Sequence, residues 1–172
     1  MNTVGSVLVD TNIVVAYFRG DEALPSRFAE FKPMYMPWVV LGELHFGAHR
    51  AQRRKEQFAY ISDFLTTAVV LFPDQGTTEC YGQLKADLAQ MGRPIPDNDL
   101  WIAAIACQHS LPLATRDAHF AHVPRLKTLA WQLNQPTNLR PACLPGSICT
   151  WKGLSSGCAV GANRAPMRSH HR

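Results

Sequence analysis

The chain has 172 residues, of which 47% are hydrophobic, and a formal net charge of +4. This length is typical of one domain with a substantial core, and no apolar stretch approaches the roughly 20 residues of a membrane helix. The start of the chain also lacks the basic and long apolar regions of a signal peptide. Composition therefore argues against a membrane protein and predicts a soluble, cytoplasmic one.

The positive charge is confined to the last part of the chain. Residues 132–172 contain five basic residues and no acid, which leaves 12 basic and 13 acidic residues, a net charge of −1, in residues 1–131. The same segment is dense in Pro, Gly, Ser and Asn and has no sustained hydrophobic period. We predict one domain over residues 1–131 and a disordered basic tail over residues 132–172. The tail could add non-specific affinity for nucleic acid, but an extension with no selected role explains the same composition.

Within residues 1–131 the hydrophobic pattern predicts alternating strands and helices. The β-branched run SVLVD ends at Asp10, and the TNIVVAYF stretch that follows has the pattern of a helix. Further short buried strands are predicted at 69–72 and 111–115, with helices at 38–50, 52–67, 75–91 and 99–109. Short apolar strands separated by helices imply a parallel sheet covered on both faces. The predicted fold class is therefore α/β, in three α/β/α layers around a short central parallel sheet.

Four acidic residues are predicted to meet at one edge of this sheet. In open parallel sheets the functional crevice lies beyond the carboxyl ends of the strands, and Asp10 and Asp117 come at or just after such ends. Asp99 opens a helix that leads into the strand before Asp117, so a right-handed crossover brings the start of that helix to the same edge. Glu43 lies in a helix that is apolar almost all round, where a buried glutamate needs a partner.

Each of these acids also has a purely structural interpretation. Asp10 could cap the helix that follows it, and Asp97 or Asp99 could cap the helix beginning near Leu100, because Asp is a favoured N-cap residue. Asp117 could begin a turn, and Glu43 could bond a neighbouring histidine or an arginine. The coincidence of all four acids at one edge favours a functional cluster.

Clustered carboxylates need a source of positive charge. Like charges a few ångströms apart disfavour ionisation, so without a cation at least one carboxyl pKa should be raised in the folded state. Hard oxygen ligands without clustered His or Cys select Mg²⁺ or Mn²⁺. Such a site activates water and stabilises charge on a phosphodiester, so the predicted reaction class is metal-assisted phosphodiester hydrolysis.

Four separated motifs resemble those of a known family. VLVDTNIVVAYF, VVLGELHFGAH, PIPDNDLWIAAIA and LATRDAHF are similar, in order and spacing, to the motifs of PIN-domain ribonucleases, most closely the VapC toxins of type II toxin–antitoxin pairs. The resemblance covers nearly all of residues 6–131. It implies a catalytic set of Asp10, Glu43, Asp99 and Asp117, in which Asp10 and Asp99 bind the metal and the other two join them. It selects Asp99 over Asp97 as the primary ligand and leaves Asp97 as an accessory acid or cap.

The resemblance also implies partners and supporting residues. Thr11, Asn12 and Thr115 would support the site through hydroxyl and amide hydrogen bonds. The family pattern implies a homodimer, cleavage of RNA with Mg²⁺ or Mn²⁺, and inhibition by a cognate VapB-like antitoxin that lays a short segment across the active groove. The tail after Trp131 departs from this pattern.

A basic stretch, HRAQRRKEQF, follows the helix that carries Glu43. It predicts an exposed helix on which Arg50, Arg53, Arg54 and Lys55 contact RNA phosphates beside the groove. A solvated helix face explains the same residues.

Two other classes of function compete with the nuclease. A small-molecule phosphohydrolase that forms an aspartyl-phosphate would need a D-x-D-x-T motif after the first strand, where this chain reads D-T-N-I-V. A non-catalytic RNA-binding or regulatory domain could share the fold, but the presence of all four acids argues against it.

Overall fold

The computed structural model describes residues 5–131, which form a five-stranded parallel sheet flanked by helices. The strands are β1 (Gly5–Val9), β2 (Phe31–Pro37), β3 (Ala68–Leu71), β4 (Leu113–Thr115) and β5 (Thr128–Ala130). The helices are α1 (Thr11–Phe18), α2 (Leu24–Glu30), α3 (Trp38–Arg50), α4 (Arg54–Leu65), α5 (Gln75–Gln90) and α6 (Asp97–Gln108). A short 3-10 helix, Ala118–His122, connects β4 to β5.

The strand order is β3-β2-β1-β4-β5, and every neighbouring pair is parallel. The chain steps from β1 through β2 to β3 on one side of the sheet, and then returns to place β4 and β5 on the other side. Right-handed crossovers therefore put α1 to α4 on one face and α5 and α6 on the opposite face. This arrangement confirms the three-layer α/β fold. The direction of winding reverses between β1 and β4, so their carboxyl ends bound the crevice where open sheets bind ligands.

The centre of the core is formed by the inner strands and α6, and buried side chains of α1, α3 and α5 pack around it. Val7, Leu8 and Val9 of β1 are fully buried, as expected for a strand covered on both faces. In α6, residues 102–106 are all buried, which explains why its sequence is apolar on every side. Burying each large aliphatic side chain contributes roughly 1.5–3 kcal/mol, so these two elements supply much of the driving force for folding.

Four described elements have no counterpart in the predicted pattern: α2, β2, β5 and the 3-10 helix. In β2 the alternation is interrupted by Pro33 and by the final Pro37. Pro33 is exposed and lies where the pairing with β1 shifts register, since Gly5 pairs with Phe31 but Val7 pairs with Met34. Such an irregularity accommodates a residue without an N–H, which a regular central strand does not. Helix α6 also begins at Asp97, two residues earlier than predicted.

The described part of the chain ends at Trp131, whose side chain is buried against Phe28 and Phe31, with ring centroids 5.8 and 5.7 Å away. The Trp131 carbonyl accepts a hydrogen bond of 2.5 Å from Arg116 Nε. The predicted tail, 132–172, lies outside the described residues, so the domain boundary stays a prediction. Within residues 5–131, none of the helices combines the length and the apolar character that a membrane span requires.

Candidate active site

Asp10 lies directly after β1 and is the N-cap residue of α1. Its side chain is buried, and Oδ1 accepts a hydrogen bond of 2.7 Å from the Thr11 backbone N–H. Oδ2 accepts from Asn12 Nδ2 and, at 2.7 Å, from the Thr115 hydroxyl. Asp10 is therefore the helix cap that the sequence allowed, and it also lies at the sheet edge predicted for the acid cluster.

The environment of Asp10 favours the protonated carboxyl. The pKa of Asp10 is raised to about 6, and the largest cause is burial. The charges of Asp99 and Asp117 also raise this pKa, whereas hydrogen bonds from Thr115 and Thr11 lower it. This confirms the prediction that at least one carboxyl pKa is raised in the folded chain. The largest cause is burial, however, and not repulsion between carboxylates.

Thr115, the last residue of β4, joins the carboxyl ends of the two central strands. Besides donating to Asp10, its buried hydroxyl oxygen accepts from the Asp117 backbone N–H at 3.0 Å and from Asn12 Nδ2 at 3.2 Å. The Asn12 amide oxygen in turn accepts from the Arg116 backbone N–H at 3.1 Å. The D-T-N and T-R-D motifs are thus held together by a continuous set of hydrogen bonds.

Glu43 projects from α3 and is half-buried. Its Oε2 accepts from the Thr11 hydroxyl, and its Oε1 accepts from Asn98 Nδ2 at 2.7 Å. Among residues 5–131, Glu43 therefore bonds neither a histidine nor an arginine, contrary to the structural alternative. The helix is apolar almost all round, as predicted, but it is not covered all round, because Trp38 is 36% and Phe46 is 63% exposed.

Asp99 and Asp117 come together with His119. Asp99 is the third residue of α6, and Asp117 is the N-cap residue of the 3-10 helix, where its carboxylate accepts from the His119 N–H at 2.8 Å. One oxygen of each carboxylate and one nitrogen of His119 all lie within 4.8 Å of one another. Burial raises the pKa of Asp99, the charges of Asp117 and Glu43 raise it further, and His119 lowers it.

Asp97 is directed away from this group. It is the exposed first residue of α6, and its Oδ1 contacts Lys85 Nζ and the Tyr81 hydroxyl, both at 2.9 Å. These two hydrogen bonds hold the pKa of Asp97 below its usual value. The N-cap position of α6 is Pro96, and no side chain caps the helix, so the capping interpretation of Asp97 and Asp99 is wrong. An accessory role for Asp97 stays a prediction.

Two polar residues at this site have no predicted role: Asn98 and His119. Asn98 donates to Glu43, and His119 stands beside Asp99 and Asp117. The predicted preference for Mg²⁺ or Mn²⁺ assumed an acid cluster without histidine. That assumption is wrong, because His119 lies beside the two aspartates. The sequence signal for His119 was its position two residues after Asp117, shortly after a predicted strand. The chain has six other histidines, and nothing in the sequence distinguished His119 from them.

A groove of about 430 Å³ runs along α3 beside the acid cluster. It is lined by Trp38, Val39, Gly42, Glu43, Phe46 and Asn98. Glu43 and Asn98 belong to both the groove and the cluster. Apolar and aromatic walls with a few polar groups suit a flat ring or an apolar side chain.

The predicted phosphate-binding residues are all exposed, but they do not share one helix. Arg50 is the last residue of α3, and its guanidinium lies 5.4 Å from the centroid of Phe46, which lines the groove. The three others lie where α4 begins: Arg53, Arg54 and Lys55. The basic patch is therefore a helix junction that extends from the rim of the groove.

The donor atoms at this edge fit a divalent cation. Two ligands that are each about 2.1 Å from one ion lie at most about 4.2 Å apart, so the group of Asp99, Asp117 and His119 needs only a small inward movement. Within residues 5–131, no group donates a hydrogen bond to the Asp99 carboxylate. Burial raises the pKa values of Asp10 and Asp99, and neighbouring carboxylates raise both further, so a bound cation would favour the ionised forms.

Comparison with known proteins gives a consistent result. The family model described as PIN domain matches residues 7–126. Ribonuclease VapC2 of Haemophilus influenzae is 31% identical over 127 residues, and the tRNA(fMet)-specific endonuclease VapC of Shigella flexneri is 32% identical over 127 residues. Each match covers 72% of this chain and 96% of the relative.

A solved structure with the same fold is VapBC-5 of Mycobacterium tuberculosis, a member of the VapBC family of toxin-antitoxin systems. It is 28% identical with a TM-score of 0.59, and the match covers 72% of this chain and 97% of that chain. The similarity therefore extends over nearly the full length of these relatives and over 72% of this chain.

Proposed function

The chain belongs to the PIN-domain family, and on that basis we propose that it is a metal-dependent endoribonuclease that acts as the toxin of a type II toxin–antitoxin pair. The observation that carries the proposal is the meeting of Asp99, Asp117 and His119 within 4.8 Å, beside the buried Asp10 and the half-buried Glu43. The relatives that are named ribonuclease or endonuclease support cleavage of RNA as the reaction.

The proposed cofactor is Mg²⁺ or Mn²⁺, held by Asp99 and Asp117 together with Asp10 and Glu43. Asp10 Oδ1 accepts only one hydrogen bond among the described residues, so it keeps an acceptor site for a ligand bond. A cation bound there supplies an activated water molecule and stabilises negative charge on the scissile phosphate.

The chain's own residues position the acidic groups for this reaction. Thr115 and Asn12 fix the Asp10 carboxylate, and Thr11 fixes one oxygen of Glu43. Asn98 fixes the other Glu43 oxygen. The side chains of four neutral residues therefore hold the carboxylates of Asp10 and Glu43 without balancing their negative charge. The site consequently depends on an external cation.

We also propose the partners. An antitoxin segment would lie along α3 in the groove next to Glu43, where it would block RNA, and the basic patch would hold the RNA phosphates. Two copies of this chain would form a homodimer, and the pair would act in the cytoplasm. The solved VapBC-5 structure supports an antitoxin partner for this fold.

The position of Asp10 argues against the phosphohydrolase alternative. A nucleophilic aspartate must reach the phosphorus of its substrate, but Asp10 is 4% exposed, and Asn12 stands where the D-x-D-x-T motif has its second aspartate. A non-catalytic RNA-binding domain would not need two carboxyl groups with raised pKa values, Asp10 and Asp99, at this edge of the sheet.

Cleavage of single-stranded RNA by the purified chain tests the proposal. Activity should be absent in chelator and should return when Mg²⁺ or Mn²⁺ is added in excess. A titration with the antitoxin should then abolish the restored activity. Full cleavage in chelator would contradict the metal mechanism.

A further inference from the structure

We propose that His119 is itself a ligand of the catalytic cation and makes this site prefer Mn²⁺ over Mg²⁺. The inference rests on the metal site proposed above and adds a nitrogen donor to its oxygen ligands. It concerns which cation the site selects, a property that the four acids alone leave open.

The backbone places His119 against the acid pair. Asp117 caps the 3-10 helix by accepting from the His119 N–H at 2.8 Å, which brings the side chain of the histidine back toward the carboxylate. His119 Nδ1 lies 3.0 Å from Asp117 Oδ1, and a nitrogen of the ring lies within 4.8 Å of the donor oxygens of both aspartates. The ring can therefore reach the position that both carboxylates share.

The exposure of His119 allows it to complete a coordination sphere. Its side chain is 63% exposed, so a small rotation toward a cation does not disturb the core. Imidazole has two nitrogens, and a histidine that binds a metal through one of them commonly keeps the other hydrogen-bonded to a carboxylate. His119 Nδ1, 3.0 Å from Asp117 Oδ1, is at the separation of two neighbouring ligands of one ion, which leaves Nε2 on the exposed side of the ring for that hydrogen bond.

The nitrogen donor decides between the two cations. Mg²⁺ is bound by oxygen ligands in a strict octahedron, and it keeps several of its waters. Affinity for nitrogen donors rises through the first-row transition metals, beginning at Mn²⁺. An imidazole among carboxylates should therefore strengthen binding of Mn²⁺ while adding little to binding of Mg²⁺.

The same 3-10 helix contains a matched control. His122 is exposed and lies three residues after His119, but its Nδ1 contacts an Arg93 guanidinium nitrogen at 3.1 Å. It is not part of the group formed with Asp99 and Asp117. Removing either histidine deletes one exposed imidazole from the same short helix, and only one of the two should affect the cation.

Cation binding to the full chain without RNA tests the proposal. The free Mn²⁺ concentration is followed by electron paramagnetic resonance during titration, and Mg²⁺ affinity is measured by competition. His119→Ala should weaken Mn²⁺ binding about tenfold and change Mg²⁺ binding less than about twofold, whereas His122→Ala should match the wild type. His119→Asp, which replaces nitrogen by oxygen, should lower the ratio of Mn²⁺ to Mg²⁺ affinity.

The outcomes separate this inference from the proposed function. Equal weakening of both cations in His119→Ala would mean that His119 only positions Asp117, and unchanged Mn²⁺ binding would mean that it takes no part. Either result overturns the inference and leaves the metal site standing. If the wild type binds neither cation, the metal-dependent function itself is wrong. Circular dichroism of each variant checks that the fold is retained.

Discussion

Thr115 is the residue through which β4 holds the acid cluster in place. Its hydroxyl donates to Asp10 and accepts from the Asp117 backbone N–H. Thr115→Val keeps the shape but leaves a buried carboxylate short of a donor, which should lower the free energy of unfolding by about 1–3 kcal/mol. The pKa of Asp10 should rise above about 6, because the Thr115 hydrogen bond lowers it.

Urea unfolding and a carbon-13 NMR titration of the carboxyl groups measure both effects of the Thr115 substitution. Thr115→Ser retains the hydroxyl and should keep the wild-type pKa of Asp10, at a smaller cost in stability from the lost methyl group. A valine variant as stable as the wild type, with an unchanged Asp10, would show that this hydrogen bond does not support the site.

Asp99 should destabilise the metal-free chain at neutral pH. Its folded-state pKa is raised above the usual 3.8, first by burial and then by Asp117 and Glu43. The folded state then holds its proton more tightly than the unfolded chain. The stabilisation from protonated Asp99 is therefore complete below about pH 3.8 and is lost as the pH rises through the raised folded pKa.

Thermal melts in chelator test this assignment with Asp99→Asn. Near pH 7 the variant should melt at the same temperature as the wild type or up to about 5 °C higher, and the difference should vanish below about pH 4. Added Mn²⁺ should stabilise the wild type more than the variant. A clearly less stable metal-free variant, with no effect of Mn²⁺ on the wild type, would mean that Asp99 has a structural role only.

At the residue scale, the sequence predicted which acids would lie at one edge of the sheet, but not which side chains would contact them. Strand ends and the right-handed crossover place Asp10, Asp99 and Asp117 at one edge without any knowledge of side-chain packing. The contact of Asp97 with Lys85 depends on how α5 packs against α6, and no periodicity encodes that angle. The same limit applies to His119, because its approach to Asp99 depends on how the 3-10 helix lies against α6.

At the scale of elements, helices were predicted more closely than strands. The bounds of α1 and α3 agree with the prediction to the residue, because each has a continuous apolar pattern and begins next to a strand end. β2 was missed because Pro33 and Pro37 interrupt its pattern, and β5 because its three residues are largely exposed. Pairing with neighbouring strands stabilises both, and that interaction is not local in sequence.

The junction of α3 and α4 carries the predicted RNA contacts, and Arg53 allows a controlled test. Arg53 pairs with Glu56 at 3.5 Å, and Arg27 of α2 pairs in the same spacing with Glu30 at 3.6 Å. Arg53→Ala should weaken RNA binding by a few fold and reduce the slope of log affinity against log salt by about 1. Arg27→Ala should leave both unchanged. Fluorescence anisotropy at several salt concentrations measures the slope, and equal effects of the two substitutions would contradict the assigned patch.

At the scale of the whole molecule, the site is a consequence of the strand order. Because β4 is inserted beside β1 after the chain has already built β2 and β3, the D-T-N and T-R-D motifs end next to each other although about 100 residues separate them. Helix α3 brings Glu43 from one face of the sheet, and α6 brings Asp99 from the other. Alternating strands and helices predicted the parallel sheet and its three layers, because few right-handed arrangements are possible, but not the strand order, since β2 and β5 were missed. It did not predict the groove, which depends on which side chains of α3 remain uncovered.

Asp99 should act on RNA through a bound cation, whereas Asp97, two residues away in the same helix, should not. The direct test is RNA cleavage by Asp99→Asn and Asp97→Asn, compared with the wild type in the same concentration of Mn²⁺. Loss of a metal ligand should reduce the rate at least about 100-fold, whereas loss of the exposed contact with Lys85 should change it no more than about threefold. Equal losses in the two variants, or an Asp99→Asn variant that still cleaves at the wild-type rate, would contradict this account.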